Sequence, residues 1–528
     1  MGSLIWKRWT AVLFVLILIA AIFAGCGSNE TPKAVSPEVT PDKTEKAETP
    51  TPVAEEKADE PLDISFMLAL FDQLPDMNNE IWTEYQKVTN TKLNIEWVPS
   101  GDYDTKLDLV LASGNLPDVI FSQQVNRPTI LKAFDNGAFW DLAPFLGDFS
   151  EYPNLKNNSS PTAFKYVTKD GQIMGMPRNR PSIDQGLKLR KDWLDKLGLP
   201  IPTTMDEYAD ALIAMVKEDP DGNGKDDTFG YVHPTGSGTG IPGTFVAAFG
   251  GLEPHFTADN TGLIHTNLTS SYVDTVEWMR DLYARGGLPQ EFATVKTTQA
   301  QEMFETGQAA SYLRNIWRAW MFQTSIRKVQ PDAEVIIISP KGPRGHSAVQ
   351  FSLDTYGAEY ISKKVPEEKV KRILDYWEAT NTEDMFDMIF FGVEGIHYNV
   401  VDGYKVMTAK GTEQIGTSIQ QPLPLMYNDW WKSFDKNAPK EYNDRIWEQV
   451  KGFGDVGYLD PFSYLISDTW TANWSKYQSE WTSKTVEAIM GIVTMDEYRN
   501  YVAEINKKPE IIKAHQEFKA AYDAFWEK

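Results

Sequence analysis

Asp219, Asp221 and Asn223 are spaced by two, and Gly224 follows directly. Calcium takes about six or more oxygen ligands, and alternate residues of a tight turn point the same way. The run reads as the first part of an EF-hand loop. Side-chain oxygens stand at positions one, three and five, glycine at six, the Lys225 carbonyl at seven and Asp227 at nine. Position twelve is Gly230, where that motif has a bidentate glutamate. The expected site is therefore loose, structural, and closed by Asp227, Thr228 and water. The competing reading is an acidic, glycine-rich turn that holds nothing.

A second chemistry needs aromatic faces. A sugar ring offers C–H faces to stack on and hydroxyls to bond in plane. Trp140, Tyr312, Asn315, Trp317, Trp320, Phe351, Asp354, Tyr356, Trp430 and Trp431 are the candidates. Most aromatics in a long chain are core, and Trp82, Trp193 and Trp377 lie on helical apolar stripes that predict this. Trp317 stands out because it follows a strand end beside Asn315 and Arg318, and ligands gather at carboxyl ends of strands in open sheets. Arg178, Arg180 and Arg190 suit an acidic ligand, since a guanidinium grips a carboxylate bidentately. Salt bridging between lobes would use the same residues. Glu394, His397 and Tyr398 either face a cleft or close a helix–loop junction.

Around these residues the chain must supply positions. Leu62–Leu70, a helix over 78–89, a strand LNIEWVPS, a helix over 103–112 and the strand PDVIF alternate as β-α-β-α-β, an α/β lobe. A run from Gly186 to Arg190 leads a helix, Lys191 to Leu197, stopped by Gly198. Thr203 or Thr204 caps the next helix, with Glu207 three residues past Thr204 as in a capping box; that helix carries Tyr208, Leu212, Met215 and Val216 on one face and ends at the acidic loop. The crossover at Gly175 to Gly186 is expected to be the first hinge.

Totals narrow the class. The chain has 528 residues, enough for two cores, and 51 basic against 74 acidic residues give a net charge of −23. That balance excludes a basic stripe for nucleic acid. One cysteine, Cys26, leaves no disulfide framework and no cysteine zinc site within one chain. There is no GxSxG elbow, Walker loop or GxGxxG after a strand. Lys7, Arg8 and the apolar run Ala11–Phe23 precede Phe23-Ala24-Gly25-Cys26, similar to a bacterial lipobox, which predicts a signal peptide over 1–26 and lipidation of Cys26. Residues 27–61, rich in Thr, Pro, Glu and Lys, predict a disordered tether.

The stretch Arg190–Tyr208, RKDWLDKLGLPIPTTMDEY, followed by DPDGNGKDDTFGY, resembles the extracellular solute-binding proteins of ABC importers, the carbohydrate-type family. It is similar to their lipoprotein branch with an EF-hand-like calcium loop, as in alginate-binding proteins. NGAFWDLAPF at Asn136, AQEMFETGQAASYLRNIWRAW at Ala300 and FGVEGIHYNVVDG at Phe391 extend the resemblance over nearly all the chain after residue 60. It implies an α/β, two-lobed type II periplasmic-binding-protein fold. The expected first lobe is 62–177 with 296–352, and the second is 178–295 with 353–528. Ala300–Trp320 would return the chain to the first lobe, and Phe351–Ile361 would be the third crossing.

The reading is a non-enzymatic, lipid-anchored, extracytoplasmic binding protein. It takes an oligosaccharide or sugar derivative, binds calcium, works as a monomer and docks on ABC permease subunits. The binding set is Trp317, Asn315, Tyr312, Trp140, Asp354, Tyr356 and Arg190. The calcium set is Asp219, Asp221, Asn223, Lys225 and Asp227. A secreted polysaccharide-active enzyme and a receptor that presents ligand to a sensor kinase are the alternatives.

Overall fold

The computed structural model describes residues 60–526, apart from 72, 161, 236, 237, 429, 430 and 432. Cys26, the segment before Glu60 and Trp430 therefore lie outside the described residues.

The chain first lays β1 (Leu62–Leu70), β2 (Thr91–Pro99) and β3 (Val119–Ser122). β1 pairs in parallel with both others. Alternate β1 residues point to opposite faces, and Ile64, Phe66, Met67, Leu68 and Ala69 are all buried, as suits a strand covered by helices on both sides. β4 (Met176–Asn179) joins this sheet, and the next strand, β5 (Gln185–Arg190), opens a second one. The first passage between sheets is thus residues 180–184, inside the expected hinge.

β6 (Phe229–Val232), β7 (Ala309–Asn315) and β8 (Val335–Ile338) complete the second sheet, in the order β8-β5-β7-β6. The chain then returns through β9 (Gln350–Phe351) to β10 (Thr355–Ile361), giving the first sheet the order β2-β1-β3-β10-β4. β9 pairs in parallel with β11 (Tyr458–Leu459).

This topology corrects the expected lobe assignment. Ala300–Trp320 does not return to the first sheet, because β7 hydrogen-bonds β5 on one side and β6 on the other. β8 pairs with β5. Residues 296–352 therefore build the second half, and the return runs over 339–354. The run Phe351–Ile361 ends that second passage as a strand of the first sheet. After it, helices Glu367–Thr380 and Glu383–Phe391 pack in the first core, whereas Trp481, Ile489, Tyr498 and Ile505 join the second. A third passage lies between Trp431, in the first core, and Ala438, which packs with Ile316 and Ile337. A short apolar strand fits either sheet equally well, so local pattern does not distinguish them.

Local signals hold where they are self-contained. Gly198 sits at φ 68° and ends the helix Lys191–Leu197. Thr204 and Glu207 cap Met205–Lys217 reciprocally, which satisfies backbone donors that the first turn cannot.

Candidate ligand-binding cleft

A cavity of about 540 Å³ lies between the two sheets. Strand ends build it. Phe71 follows β1, Arg178 and Asn179 end β4, Tyr356 starts β10, Gln185 starts β5, and Arg314 and Asn315 end β7. Trp317 and Arg318 continue from β7, and Gln420, Gln421, Leu425 and Trp431 close the first-core side. The cavity size is that of sites for small organic ligands.

Four arginines line it, Arg178, Arg180, Arg314 and Arg318, against one carboxylate, Asp184. Asp184 Oδ2 accepts from Arg180 Nη2 at 3.3 Å, Asn315 Nδ2 at 2.9 Å and Gln185 Nε2 at 3.2 Å. Arg178 Nη2 donates to the Gln420 carbonyl at 3.1 Å. The Nε–H groups of all four arginines are buried with no acceptor among the described residues. Burial lowers Arg178 to about 10, with Arg180 adding repulsion and Glu359 opposing it. Burial and Arg314 likewise lower Arg318.

The aromatic faces carry guanidinium groups. Arg180 lies 4.6 Å from the Tyr356 ring centroid and Arg318 lies 4.6 Å from that of Trp317. Tyr356 is fixed by its hydroxyl, which donates to Gln123 Oε1 at 2.7 Å. Beneath β7, Lys188 is fully buried and donates to the carbonyls of Arg314 at 2.6 Å and Asn315 at 2.9 Å. Burial, then Arg314, holds its ammonium well below the ordinary range. This lysine ties down the strand end that presents Arg314, Asn315 and Trp317.

The cleft gathers Trp317, Asn315 and Tyr356 from the expected set. Trp431 also lines it. The other four lie elsewhere. Tyr312 is buried between Phe304 and Phe322, with centroids 5.7 and 5.6 Å away. Its side chain alternates with Leu313 along β7: Leu313 joins the second core, whereas Tyr312 packs in a separate cluster with Val232, Phe304 and Phe322. Trp140 packs edge-on to Phe145, donates from Nε1 to the Val365 carbonyl at 3.0 Å, and carries Lys363 over its ring. Arg190 pairs with Asp192 and stacks on Trp193 at 4.2 Å. Asp354 sits on the second passage and accepts from Ser160 and Thr162, while its carbonyl accepts from Arg180 N.

Trp320 packs against Tyr442, and Phe351 pairs with Leu459 in the β9–β11 ladder. His397 is buried, with Nδ1 accepting from Val393 N, so it closes a helix–loop junction. Trp82, Trp193 and Trp377 are buried core residues as expected. The residues that sequence pattern missed are Arg314, Gln185 and Asp184 beside the passages and Gln420 and Gln421 far along the chain. Arg314 belongs to the same strand end as Trp317, so the strand-end rule covers it. Nothing local marks Gln420.

A larger cavity of about 660 Å³ also lies between the cores, walled by Tyr166, Tyr464, Trp470 and Phe525 among others. Those rings cover one another. Tyr166 stacks on Phe525 and tilts against Tyr464, and Trp470 stacks on His265 and Trp474. The smaller cavity holds the unpaired donors and is the better ligand site.

The acidic loop stands away from both. Asn223 Nδ2 bridges Asp221 Oδ2 at 2.8 Å and Asp227 Oδ1 at 3.0 Å, and Gly224 N donates to Asp219 Oδ2 at 3.0 Å. Asp219 Oδ1 is buried without a partner. A hydrogen bond from the Asp221 carboxyl lowers Asp219, while burial, with Asp219 and Asp227 nearby, raises Asp221. Among the described residues no group of three or more His, Cys, Asp or Glu is placed to hold a metal ion. The Asn223 amide oxygen accepts from Lys225 N at 2.7 Å.

The sequence profile of bacterial extracellular solute-binding proteins matches residues 72–380, more than half of the chain. The Bacillus subtilis polygalacturonan/rhamnogalacturonan-binding protein YtcQ is 29% identical over 98% of this chain and 99% of its own length. The B. subtilis lipoprotein LipO is 27% identical over 88% of each. Among solved structures, the Streptococcus pneumoniae ABC-transporter substrate-binding protein FusA, an EF-hand mutant in complex with fructo-nystose, matches with a TM-score of 0.63 at 18% identity. It covers 88% of this chain and 99% of that one, and it shares the fold.

Proposed function

The chain belongs to the bacterial extracellular solute-binding protein family, which binds solutes and is not enzymatic, and we propose that it captures an acidic oligosaccharide, a uronate-containing one, for an ABC importer. The observation that carries this is the set of four cleft arginines whose buried Nε–H groups have no acceptor. A buried donor left unmade is costly, and a carboxylate accepts two parallel bonds from one guanidinium. One protein carboxylate cannot serve four such groups. Trp317 and Tyr356 add faces for sugar C–H groups. The similarity to a polygalacturonan/rhamnogalacturonan-binding protein supports the same reading.

Calorimetric titration with trigalacturonate and with neutral maltotriose tests it. Trigalacturonate is expected to bind and to raise the melting temperature by mass action, and its affinity is expected to fall with salt. Equal binding of the neutral trisaccharide would refute the acidic reading.

The proposal extends to the surroundings. Cys26 carries a lipid anchor that holds the protein on the cell membrane, and a permease receives its closed form. The lobes are the two sheets with their cores, hinged at the three passages. The loop takes calcium through Asp219, Asp221, Asn223, the Lys225 carbonyl and Asp227. The Asp219 oxygen without a partner among the described residues, with Asp221 and Asp227 close by, is where a cation fits. Joint Asp219→Ala and Asp221→Ala substitution is expected to abolish calcium found by metal analysis and to lower the melting temperature in calcium buffer, with sugar affinity unchanged. A wild-type protein with no calcium would remove the site.

A further inference from the structure

Glu359 occupies the middle of β10, opposite Phe121 of β3 and Met176 of β4. None of it reaches solvent, and among the described residues neither carboxylate oxygen accepts a hydrogen bond of ordinary geometry, Trp377 alone acting on it weakly as a donor. Four elements face it with polar groups. Tyr85 comes from the helix Glu80–Val88, Tyr103 from Tyr103–Ser113, Tyr376 and Trp377 from Glu367–Thr380, and Arg178 from β4. The hydroxyls are engaged elsewhere. Tyr103 donates to the Met67 and Phe121 carbonyls, and Tyr85 and Tyr376 bond each other. Trp377 Nε1 has no other partner among the described residues. An ionised carboxylate here would be a buried charge with that one weak donor, so the group is held as the neutral acid. Burial raises it to about 8, with Arg178 pulling the other way.

Arg178, two residues beyond Met176 on β4, lies on the same face nearer the strand end. It is 4% exposed, lies 5.9 Å from the ring centroids of Phe121 and Tyr356, and lines the cleft. Among the described residues its guanidinium makes one hydrogen bond, to a neutral carbonyl, that of Gln420. A cation thus has a neutral acid behind it and open cleft before it.

We propose that Glu359 is a specificity-determining residue of the cleft: held neutral behind its floor, it leaves the charge of Arg178 to be balanced by a carboxylate of the ligand. This rests on the acidic-oligosaccharide reading above. An ionised Glu359 competes with the ligand for one guanidinium, so affinity falls as pH rises through the Glu359 pKa. A bound anion disfavours that ionisation further. In alkaline solution each binding event therefore moves a proton from buffer to the Glu359 carboxylate. The facing tyrosines do not titrate in this range, because burial pushes Tyr85, Tyr103 and Tyr376 above their ordinary values.

Trigalacturonate is titrated calorimetrically into wild type and Glu359→Gln from about pH 6 to about pH 9.5, in two buffers of different ionisation enthalpy. Wild-type affinity is expected to fall about tenfold across that range, a size typical of one charge lost near a partly buried ion pair. Proton uptake is expected to appear above about pH 7. Glu359→Gln is expected to match wild type at low pH and to stay flat. The ligand-free proteins give a second readout. A carboxyl whose folded pKa is raised to about 8 contributes stability that is present below its unfolded pKa and is lost as pH rises through the folded one. The melting temperature of wild type relative to Glu359→Gln is thus expected to fall between about pH 5 and about pH 8.

Parallel affinity profiles with no proton uptake overturn the role of Glu359 and leave the acidic reading standing. Absence of trigalacturonate binding at every pH overturns both. If Glu359→Gln does not fold, the pH at which wild-type proton uptake sets in decides: onset around the Glu359 value of about 8 supports the role, and onset only toward the Arg178 value of about 10 overturns it.

Discussion

Arg190 and Arg178 stand on consecutive strands either side of the first passage, and both are almost fully buried. Their surroundings differ in one respect. Arg190 donates from Nε and Nη2 to Asp192 at 2.9 and 2.6 Å, from Nη2 to Gln330 at 2.6 Å, and lies over Trp193. Arg178 has one carbonyl acceptor and an idle Nε. Burial of an arginine therefore carries no functional meaning by itself. The accounting of its donors does. Arg190 is a structural rivet whose donors the fold has met, and Arg178 is a cation whose remaining partner, on the proposed reading, is the ligand.

Substitutions separate the two. Arg190→Met is expected to have the largest effect on stability, about 3–5 kcal/mol, because it strands Asp192 and Gln330 beside an apolar stem. Thermal melting reads this, and the folded remainder should still bind trigalacturonate normally. Arg178→Met is expected to cost about 2–5 kcal/mol of trigalacturonate affinity, the usual range for one partner of a buried charge pair. Its melting temperature should hold or rise, since an uncompensated buried charge is removed. A large loss of stability in Arg178→Met with normal binding would erase the distinction. Trp317→Ala comes next, at about 2 kcal/mol of binding for a central anchor, with little change in melting. A core tryptophan would behave in the opposite way, losing about 3–5 kcal/mol of stability.

The same contrast explains what the sequence made legible. Helix ends and turns were readable because their causes are local. Gly198 and the Thr204–Glu207 pair carry their chemistry within a few residues. Trp317 and Asn315 were readable by the strand-end rule, and Arg178 and Arg180 by their place at the passage. Tyr312 is misleading because it shares the face of Arg314 but lies two residues further from the strand end, where Phe304 and Phe322 cover it. Arg190 misled because its partners, Asp192 and Gln330, are 2 and 140 residues away and only the latter needs the fold. Sheet membership was illegible for a related reason. β7 and β10 are both short, apolar and buried, and which sheet takes each depends on pairings across the whole chain.

Arg314 gives the smallest effect and the finest test. It ends β7, lines the cleft and has a buried Nε without an acceptor. Its position is set by Lys188, which holds the Arg314 carbonyl and not its side chain. The guanidinium is therefore free to be exchanged without disturbing the strand. Lysine at this site keeps the charge and loses the planar fork. If Arg314 meets a ligand carboxylate through two parallel bonds, Arg314→Lys forfeits about one of them, a net loss of about 1 kcal/mol or roughly fivefold in affinity. The salt dependence of binding should be unchanged, because the charge count is. Arg314→Met should lose more affinity and should also flatten the salt dependence. Titration of trigalacturonate at two ionic strengths reads both. If lysine binds as well as arginine, Arg314 supplies only charge, and the idle Nε is an accident of the strand end. If lysine and methionine fall equally, geometry alone matters at that position, and the cleft's selectivity for acids rests on Arg178 and its neighbours.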